Sequence, residues 1–388
     1  MTIDKIDQIA HARSHERLRG WLRDSALPLW LEAGFDHSAG GFHERLDFDA
    51  NPIALPRRLT VQARQIFVYA RAILLGWVAD SGQVETAFNA MIERYRGRDG
   101  MPGFAFTVDA DGKVVDGKRD LYAHAFVILA ASAYFRLTGD QKAITVADEI
   151  LAFIDAEMAA PNGGYLDHLP APPARLRQNP HMHLFEALLA LYEATGDAAY
   201  LGRAGEIYGL FRTRFFQPAT GTIAEYYGSD WSPQDGANAM WEPGHHMEWA
   251  WLLTEYRRLT GTDTTAIVDR LLDVAYTHGV TPDGVIIDEV RGDGTPIKKS
   301  ARTWPLTEAA KAQAVRLAQD PKAAARLALA LDGLHDRYLA PVGAGLWHDH
   351  FAEDGTLLTD YAPASTLYHI AMSVFVVEDA LRALKAGV

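Results

Sequence analysis

The chain has 388 residues, of which 48% are hydrophobic and 22% are charged, a composition typical of globular proteins. Its 37 Lys and Arg residues against 50 Asp and Glu residues give a formal charge of −13, which disfavours nucleic acid and anionic membranes as partners. The absence of cysteine excludes disulfides, thiolate nucleophiles, thiolate zinc sites and iron–sulfur clusters. The N-terminal segment is polar, and no uncharged apolar stretch approaches the roughly 20 residues that span a bilayer. We therefore expect a soluble, cytoplasmic protein.

Helical periodicity runs through the whole chain. Three strongly apolar helices end at Thr138-Gly139, Thr195-Gly196 and Thr260-Gly261, where glycine can take the left-handed conformation of a helix C-cap. Each is followed by a more amphipathic helix, over residues 143–158, 198–215 and 265–278. Further helices are predicted at residues 6–31, 60–81, 84–95, 307–318, 322–339 and 367–385. Repeated pairs of one buried and one amphipathic helix indicate an inner and an outer ring within a single domain, residues 1–388.

Short extended segments separate the helix pairs. Residues 104–115 are predicted to form a hairpin that turns at Asp111-Gly112, and residues 285–297 a second one that turns at 292–294. The proline-rich residues 169–180 have the composition of a linker. Because the helical pattern resumes unchanged after them, we interpret them as a loop inside one domain.

Histidine is the most informative residue type. Six of the 15 histidines stand where an apolar helix begins, which would bring them to one end of a ring: His124, His181, His183, His245, His246 and His369. Any one of them could cap a helix or form a hydrogen bond in the core. Their recurrence at the same place in successive pairs favours a common site.

Two clusters are especially dense. In Trp241-Glu242-Pro243-Gly244-His245-His246-Met247-Glu248, the spacing puts His245 and Glu248 on one helix face, where a carboxylate can orient an imidazole, raise its pKa or bind the same substrate hydroxyl. A structural ion pair is the alternative. In Asn179-Pro180-His181-Met182-His183, proline opens a helix, so the two histidines diverge and do not predict a metal pair. No metal site is predicted.

The remaining candidates are Arg64, Trp304, Glu308 and His369. Arg64 lies within an apolar helical pattern, where a buried arginine needs a partner, and a structural salt bridge would be one. Several tryptophans adjoin these motifs, and indole rings beside hydroxyl-binding groups suit a sugar, although core packing accounts for some of them. No P-loop, GxGxxG, GxSxG or EF-hand motif is present in the sequence, and no cofactor is expected.

Taken in order, these motifs resemble one family. They are Arg64 in QAR, the run from Asp120 to Phe126, Asn179-x-His181-x-His183, Gly244-His245-x-x-Glu248-x-x-Trp251-Leu252-Leu253, Trp304-x-x-x-Glu308 and Tyr368-His369. The chain is similar, from about residue 15 to 385, to the N-acylglucosamine 2-epimerase superfamily, which includes cellobiose 2-epimerases and mannose and sulfoquinovose isomerases. The resemblance implies an all-α (α/α)6 barrel with short β-hairpins in its loops, a sugar substrate and metal-independent chemistry.

The resemblance also implies residue roles. It makes His245 and His369 the catalytic acid and base, without saying which is which, and Arg64 a substrate-binding residue. The sugar-contacting positions of the family correspond to Asn179, His183, Glu248, Trp251, Trp304 and Glu308. One imidazole would remove the C2 proton of an open aldose to give a cis-enediolate, and Arg64 would stabilise its oxyanion.

The sequence around His245 resembles mannose isomerases more than epimerases, so D-mannose and D-fructose are the expected pair. A 2-epimerase of the mannose/glucose, N-acylglucosamine or cellobiose type and a sulfoquinovose-type isomerase are alternatives. A charged sugar would need cations beyond Arg64; Lys298, Lys299 and Arg302 could supply them or form a solvated surface. A glycoside hydrolase with Glu248 and Glu308 as its carboxylates, or a sugar-binding protein, is a more distant alternative. A monomer or homodimer is expected.

Overall fold

Apolar and amphipathic helices alternate along the chain in the computed structural model, which describes residues 3–171, 175–343 and 345–386. The apolar helices are α3 (Leu59–Leu74), α5 (Leu121–Thr138), α7 (Asn179–Thr195), α9 (Pro243–Thr260), α11 (Trp304–Ala314) and α13 (Ala364–Ala386). The amphipathic ones are α1 (Ile3–Trp21) with α2 (Leu27–Glu32), α4 (Gln83–Tyr95), α6 (Gln141–Glu157), α8 (Ala198–Leu210), α10 (Thr265–His278) and α12 (Ala323–Gly333). Three π-helical segments, Leu22–Ala26, Phe211–Phe215 and Leu334–Leu339, join α1 to α2 and extend α8 and α12.

The six apolar helices form a closed inner ring. Each packs against the next, and α13 returns to α3, while the amphipathic helices pack outside them. Nearly every residue of α5 and α9 through their first three turns is buried, because these helices meet neighbours on all sides. The predicted (α/α)6 barrel is confirmed.

Glycine ends three inner helices as expected. Gly139, Gly196 and Gly261 have φ angles of 72°, 74° and 76°, in the left-handed region that residues with a Cβ rarely adopt. Some other predicted boundaries are wrong, among them the end of α3 and both ends of α11. Helix α3 ends at Leu74 instead of residue 81, because the chain turns at Gly76 with φ 70°. Helix α11 begins at Trp304 instead of residue 307, because a proline fits its first turn.

The strands are short and mostly paired as antiparallel hairpins or two-stranded ladders. Both predicted hairpins are confirmed, as β5 with β6 and β13 with β14. The proline-rich loop runs between β8 and β9, although its residues 172–174 lie outside the described residues. The strands are β1 (Phe35–Asp36), β2 (Gly41–Phe42), β3 (Arg45–Asp47), β4 (Arg57–Arg58), β5 (Thr107–Val108), β6 (Val114–Asp116), β7 (Arg119–Asp120), β8 (His168–Leu169), β9 (Leu176–Arg177), β10 (Phe216–Gln217), β11 (Thr222–Ile223), β12 (Tyr226–Tyr227), β13 (Glu289–Val290), β14 (Pro296–Lys298), β15 (Ala301–Arg302), β16 (His350–Phe351) and β17 (Tyr361–Pro363).

The strands mark one end of the barrel. Strands β4, β7, β9, β15 and β17 each lead directly, or after one or two residues, into the first turn of an inner helix. The N-termini of the inner helices, with their positive dipole ends, therefore meet at this end under a rim of hairpins. The histidines of the sequence motifs lie in the first or second turns of these helices.

Helix α5 is the one described helix whose length and apolar composition would allow it to cross a membrane. In the fold it belongs to the inner ring, and 72% of Leu121–Thr138 is buried inside the protein. Its apolar sequence is that of a barrel core.

Candidate active site

Three of the six helix-start histidines support the rim of hairpins. Nε2 of His124, His181 and His246 accepts a hydrogen bond from the backbone N–H of Phe104, Tyr165 and Ile223, at 3.0, 2.9 and 2.8 Å. The same contact thus recurs on α5, α7 and α9, and it ties a loop to the helix that it precedes.

All three of these imidazoles are buried, and burial penalises their charged form. It lowers the pKa of His124 and His181 to about 4 and the pKa of His246 to about 3. They stay neutral acceptors at physiological pH. His124, His181 and His246 therefore recur at helix starts because each binds the loop before its helix, and not because they share a site.

His245 lies on the other face of α9 from His246. Its Nδ1 is 2.7 Å from Glu225 Oε1 and 3.9 Å from Glu242 Oε2. Glu225 follows β11, 20 residues earlier in the chain, and Gln178 donates to both of its oxygens at 3.1 and 3.3 Å. Gln178 is itself fixed by the indole N–H of Trp249 at 2.7 Å.

This acidic environment sets the charge of His245. Burial alone would lower its pKa, but the carboxylates of Glu225 and Glu242 outweigh burial and raise the pKa to about 9. His245 is therefore an imidazolium at neutral pH. Glu248, expected from its spacing to orient His245, does not do so; it lies one turn deeper and faces Lys311 and His183, each at 3.9 Å.

His369 stands on the second turn of α13 and is bound to the neighbouring inner helix. Its Nδ1 is 2.9 Å from Glu308 Oε1. The other oxygen of Glu308 is 2.5 Å from the ammonium of Lys311, an ion pair by distance without the angles of a regular hydrogen bond. Since a carboxylate only accepts, Nδ1 of His369 carries the proton and Nε2 is left with a lone pair.

His369 differs from His245 in its protonation state. Burial lowers the pKa of His369 well below the ordinary imidazole value, and the nearby cations Arg64 and Lys311 lower it further. His369 is neutral at physiological pH. The pair therefore consists of one charged donor and one neutral acceptor, which are the states that an acid and a base need.

Trp304 lies between the two histidines. Its ring centroid is 5.0 Å from that of His245 and 5.8 Å from that of His369. The indole is half-buried, while His245 and His369 are 6% and 7% exposed. An aromatic face flanked by an acid and a base suits one face of a sugar ring.

Arg64 reaches the same region from α3 without a salt bridge. Its guanidinium donates to Ser365 O at 3.2 Å and Tyr122 Oη at 2.5 Å, and lies 4.2 Å from the centroid of Phe126. No carboxylate among the described residues pairs with it. A cation that is 4% exposed and lacks a counter-ion is available for a developing oxyanion.

His183 is oriented by Glu186, which in turn accepts a hydrogen bond from Tyr368. Its Nδ1 is 2.9 Å from Glu186 Oε2, and Tyr368 donates to the other oxygen of Glu186. Burial lowers the pKa of His183 to about 4 against the opposing effect of Glu186. His183 is therefore a neutral imidazole, directed between Arg64 and Glu248.

Three further predicted residues differ in their depth in the barrel and in whether their polar atoms have hydrogen-bond partners. Asn179 begins α7, and its Oδ1 is buried without a protein partner. Both carboxyl oxygens of Glu248 are also unpartnered, and burial with repulsion from Glu308 raises the pKa of Glu248 well above its usual value. Trp251 lies deeper, with its ring 3.8 Å from the Lys311 ammonium. Asn179 and Glu248 thus have polar atoms to offer a ligand.

Three groups of described histidine and carboxylate side chains have donor atoms within 4.8 Å of one another: His183, Glu186 and Glu248; Glu225, Glu242 and His245; and Glu248, Glu308 and His369. Lys311 already gives Glu308 and Glu248 a cationic neighbour, and Arg302 donates to Glu242 at 3.0 Å. The donor sets therefore have protein cations beside them. Metal independence stays a prediction.

A cavity of about 740 Å³ opens at the opposite end of the barrel, among the C-termini of the inner helices. Two ion pairs lie on its rim, Arg71 with Asp379 and Arg258 with Glu193. We assign the site to the histidine end, because the unpartnered buried polar groups and the acid–base pair lie there.

Sequence analysis missed Glu225, Gln178 and Lys311. Lys311 had a usable signal, since a lysine within an otherwise apolar helix, three residues after Glu308, indicates a buried pair. Glu225 and Gln178 lie in loops 20 and 67 residues before His245, and no local pattern connects them to it.

Residues 40–373 match the model of the family N-acylglucosamine 2-epimerase (GlcNAc 2-epimerase). The chain is 36% identical to a mannose-6-phosphate isomerase of Rhizobium meliloti (strain 1021), over 94% of this chain and 97% of that protein. It is 26% identical to a D-mannose isomerase of Thermobifida fusca, over 76% and 79%. The solved structure of cellobiose 2-epimerase from Spirochaeta thermophila DSM 6192 superposes with a TM-score of 0.84 at 22% identity, covering 96% of this chain and 98% of that one. The chain belongs to the N-acylglucosamine 2-epimerase family and is a sugar isomerase or epimerase acting on a small-molecule sugar.

Proposed function

We propose that the protein interconverts D-mannose and D-fructose through a cis-enediolate, with His369 as the base and His245 as the acid. The observation that carries the proposal is the placement of these two histidines on either side of Trp304, with His245 protonated and His369 neutral. Proton removal next to a carbonyl needs a neutral base and a donor for the oxygen that becomes negative.

In the proposed reaction, Nε2 of His369 removes the C2 proton of the open aldose. The C–H electrons form the C1=C2 bond, and O1 takes the displaced carbonyl electrons and a proton from His245. The O2 proton then passes to His245, C2=O forms, and His369 returns its proton to C1. Each histidine ends in its starting state, and no oxidant or reductant is needed.

The high pKa of His245 favours isomerisation over epimerisation. A 2-epimerase needs a second group that delivers a proton to C2 from the opposite face. An imidazolium with a pKa of about 9 is a weak donor toward carbon, although it serves an alkoxide oxygen well. One base acting on one face, with His245 confined to oxygen, gives the ketose.

Five of the other predicted residues bind the sugar in this proposal, and two support the residues behind it. Arg64 stabilises the enediolate oxygen because it has no competing carboxylate, and Trp304 supports one face of the sugar. Asn179, His183 and Glu248 offer unpartnered or neutral polar atoms to hydroxyl groups. Glu308 and Trp251 act from behind His369 and Lys311, instead of touching the sugar.

Mannose 6-phosphate is a second candidate substrate, because the relative that is 36% identical is a mannose-6-phosphate isomerase. Lys298, Lys299 and Arg302 do not favour it, because each is paired with a carboxylate. Among the described residues of the strand-bearing end, Arg45 and Arg175 have no carboxylate partner and stack on Tyr361 and Tyr226 at 3.9 and 3.4 Å. These two arginines are the candidates that we would test as phosphate ligands.

Glycoside hydrolysis with Glu248 and Glu308 is disfavoured. The two oxygens of Glu308 already face Lys311 and His369, so Glu308 has no oxygen free for a glycosidic bond. A hydrolase needs two carboxyl groups that flank the scissile bond. Release of monosaccharide from a disaccharide would contradict this conclusion.

The test is NMR of the mannose, glucose and fructose pools during incubation of the protein with D-mannose in D₂O. The proposal expects fructose before glucose, with deuterium entering at C1. Faster formation of glucose would make the protein an epimerase. Turnover of mannose 6-phosphate but not of mannose, abolished by Arg45→Ala or Arg175→Ala, would transfer the proposal to the phosphorylated sugar. The cytoplasmic location and the oligomeric state stay predictions, for fractionation and light scattering to test.

A further inference from the structure

Lys311 is a lysine buried at the centre of the barrel. It is 0% exposed on α11, one turn after Glu308, with Nζ 2.5 Å from Glu308 Oε2 and 3.9 Å from Glu248 Oε1. The ammonium also lies 3.8 Å from the ring centroid of Trp251. Burial alone would lower its pKa, but Glu308 and Glu248 outweigh burial and raise the pKa, so Lys311 is charged.

Burying an ammonium group is costly unless its partners compensate, and a methionine would fill this space at less cost. The proposed reaction gives Lys311 no contact with the sugar. Glu308 stands between Lys311 and His369 and contacts both of them. A charged group in this position needs a role other than substrate binding.

We infer that Lys311 is a positioning residue for the base of the reaction: its ammonium group fixes Glu308, and through Glu308 the ring of His369, and supplies a permanent positive charge behind that pair. The inference rests on the proposed function, in which His369 accepts the C2 proton. It assigns no contact between Lys311 and the sugar.

Geometry supports the first part of this role. The two oxygens of Glu308 are divided between Lys311 and His369, so the ion pair fixes the rotation of the carboxylate that receives Nδ1–H. That hydrogen bond determines the tautomer, in which Nε2 is the acceptor. Without Lys311, Glu308 would be a buried carboxylate beside Glu248, and one of the two would take up a proton.

The charges around His369 support the second part. The groups that face it come from four inner helices: Arg64 on α3, His183 and Glu186 on α7, Glu248 on α9, and Glu308 and Lys311 on α11. Burial lowers the pKa of His369 most, followed by Arg64, Lys311 and His183, whereas Glu186 raises it. Arg64 is compensated when an oxyanion forms, so Lys311 is the positive charge that persists through the reaction.

The experiment compares Lys311→Met and Lys311→Gln with the wild type, with Lys142→Met on the exposed face of α6 as the control. NMR of the protein with ¹⁵N-labelled histidine follows the ring of His369, assigned with His369→Gln, between pH 5 and 9. In both neutral variants we expect the pKa of His369 to rise by about one unit or more. The matching kinetic effect is a shift of the acid limb of kcat/KM to higher pH by the same amount as the measured rise in the pKa of His369, because less of the neutral base is then present at low pH. Lys311→Arg, which keeps the charge, should retain the low pKa of His369.

An unchanged titration and tautomer of His369 in a folded neutral variant would overturn the inference. The glutamine variant, whose amide can still donate to Glu308, serves this test if the methionine variant does not fold. A shifted His369 titration together with normal activity at every pH would support the role of Lys311 but contradict His369 as the base. Failure of the inference and failure of the proposed function are thus distinguishable.

Discussion

The two site histidines share one local arrangement and differ in everything beyond it. Each has its Nδ1 on a glutamate oxygen, Glu225 at 2.7 Å for His245 and Glu308 at 2.9 Å for His369. A second carboxylate, Glu242, stands next to the first pair, whereas a buried cation, Lys311, stands behind the second. The pKa of His245 rises and that of His369 falls. The hydrogen-bond partner orients each ring, and the balance of burial and all nearby charges sets its protonation state: Glu225 and Glu242 outweigh burial at His245, whereas burial, Arg64 and Lys311 keep His369 neutral.

The largest expected effect comes from removing either ring. His245→Ala and His369→Ala should each lose about 10² to 10⁴ in kcat, the contribution of a general acid or base. Circular dichroism and thermal melts should show a normal fold. Steady-state kinetics on mannose measure the loss.

His348→Ala and His350→Ala are the matched controls for this pair. His348 lies against Phe48 and Phe351, and His350 is 3.0 Å from Asp288, in the rim of hairpins. Their kcat should change little. A loss comparable to that of His245→Ala for either control, with His369→Ala active, would show that the base had been assigned to the wrong histidine.

The second-largest expected effect is a shift in the pH at which kcat/KM falls on the alkaline side. His245 must be protonated, so kcat/KM of the wild type should fall as pH rises through about 9. Glu225→Gln removes the main opposing charge and lowers the pKa of His245, so the limb should move down by about one pH unit or more. Activity near pH 6 should suffer least.

The control for this prediction is Glu149→Gln, on an exposed pair with Arg96. It should leave the whole profile unchanged. An alkaline limb that stays near pH 9 in Glu225→Gln would mean that another group titrates there.

A smaller and different effect separates structural from catalytic histidines. His246→Ala should lower the free energy of unfolding by about 1 to 3 kcal/mol, because the buried N–H of Ile223 loses its acceptor. The value of kcat should stay within a few-fold. Denaturant unfolding and kinetics on the same preparation test both parts. A loss of kcat as large as that of His245→Ala would contradict the division.

No effect is expected from chelation. Lys311 lies beside the carboxylates that face His369, and Arg302 beside Glu242, so the proposed proton transfers use protein charges alone. Activity after extensive dialysis against EDTA should equal the starting activity. A loss that zinc or manganese restores would reject metal independence.

The sequence alone determined the helix pairs, the barrel and the family resemblance. These depend on local features: apolar periodicity, the Thr-Gly ends at Gly139, Gly196 and Gly261, and polar residues in the first turn of buried helices. Such features act over three or four residues, so they can be read along the chain. The same local pattern placed His245 and His369 at one end of the ring, and the family resemblance added Arg64.

Only the tertiary structure showed that His124, His181 and His246 accept hydrogen bonds from the rim of hairpins, and only it gave His245 and His369 different protonation states. The deciding groups are distant in sequence: Glu225 lies 20 residues before His245, and Glu308 61 residues before His369. Burial and Coulomb interactions depend on distances in space, and the ring brings together side chains from helices that are far apart in the chain. For that reason one histidine of two similar histidine–glutamate pairs is protonated and the other is neutral, and their sequence neighbours do not reveal which is which.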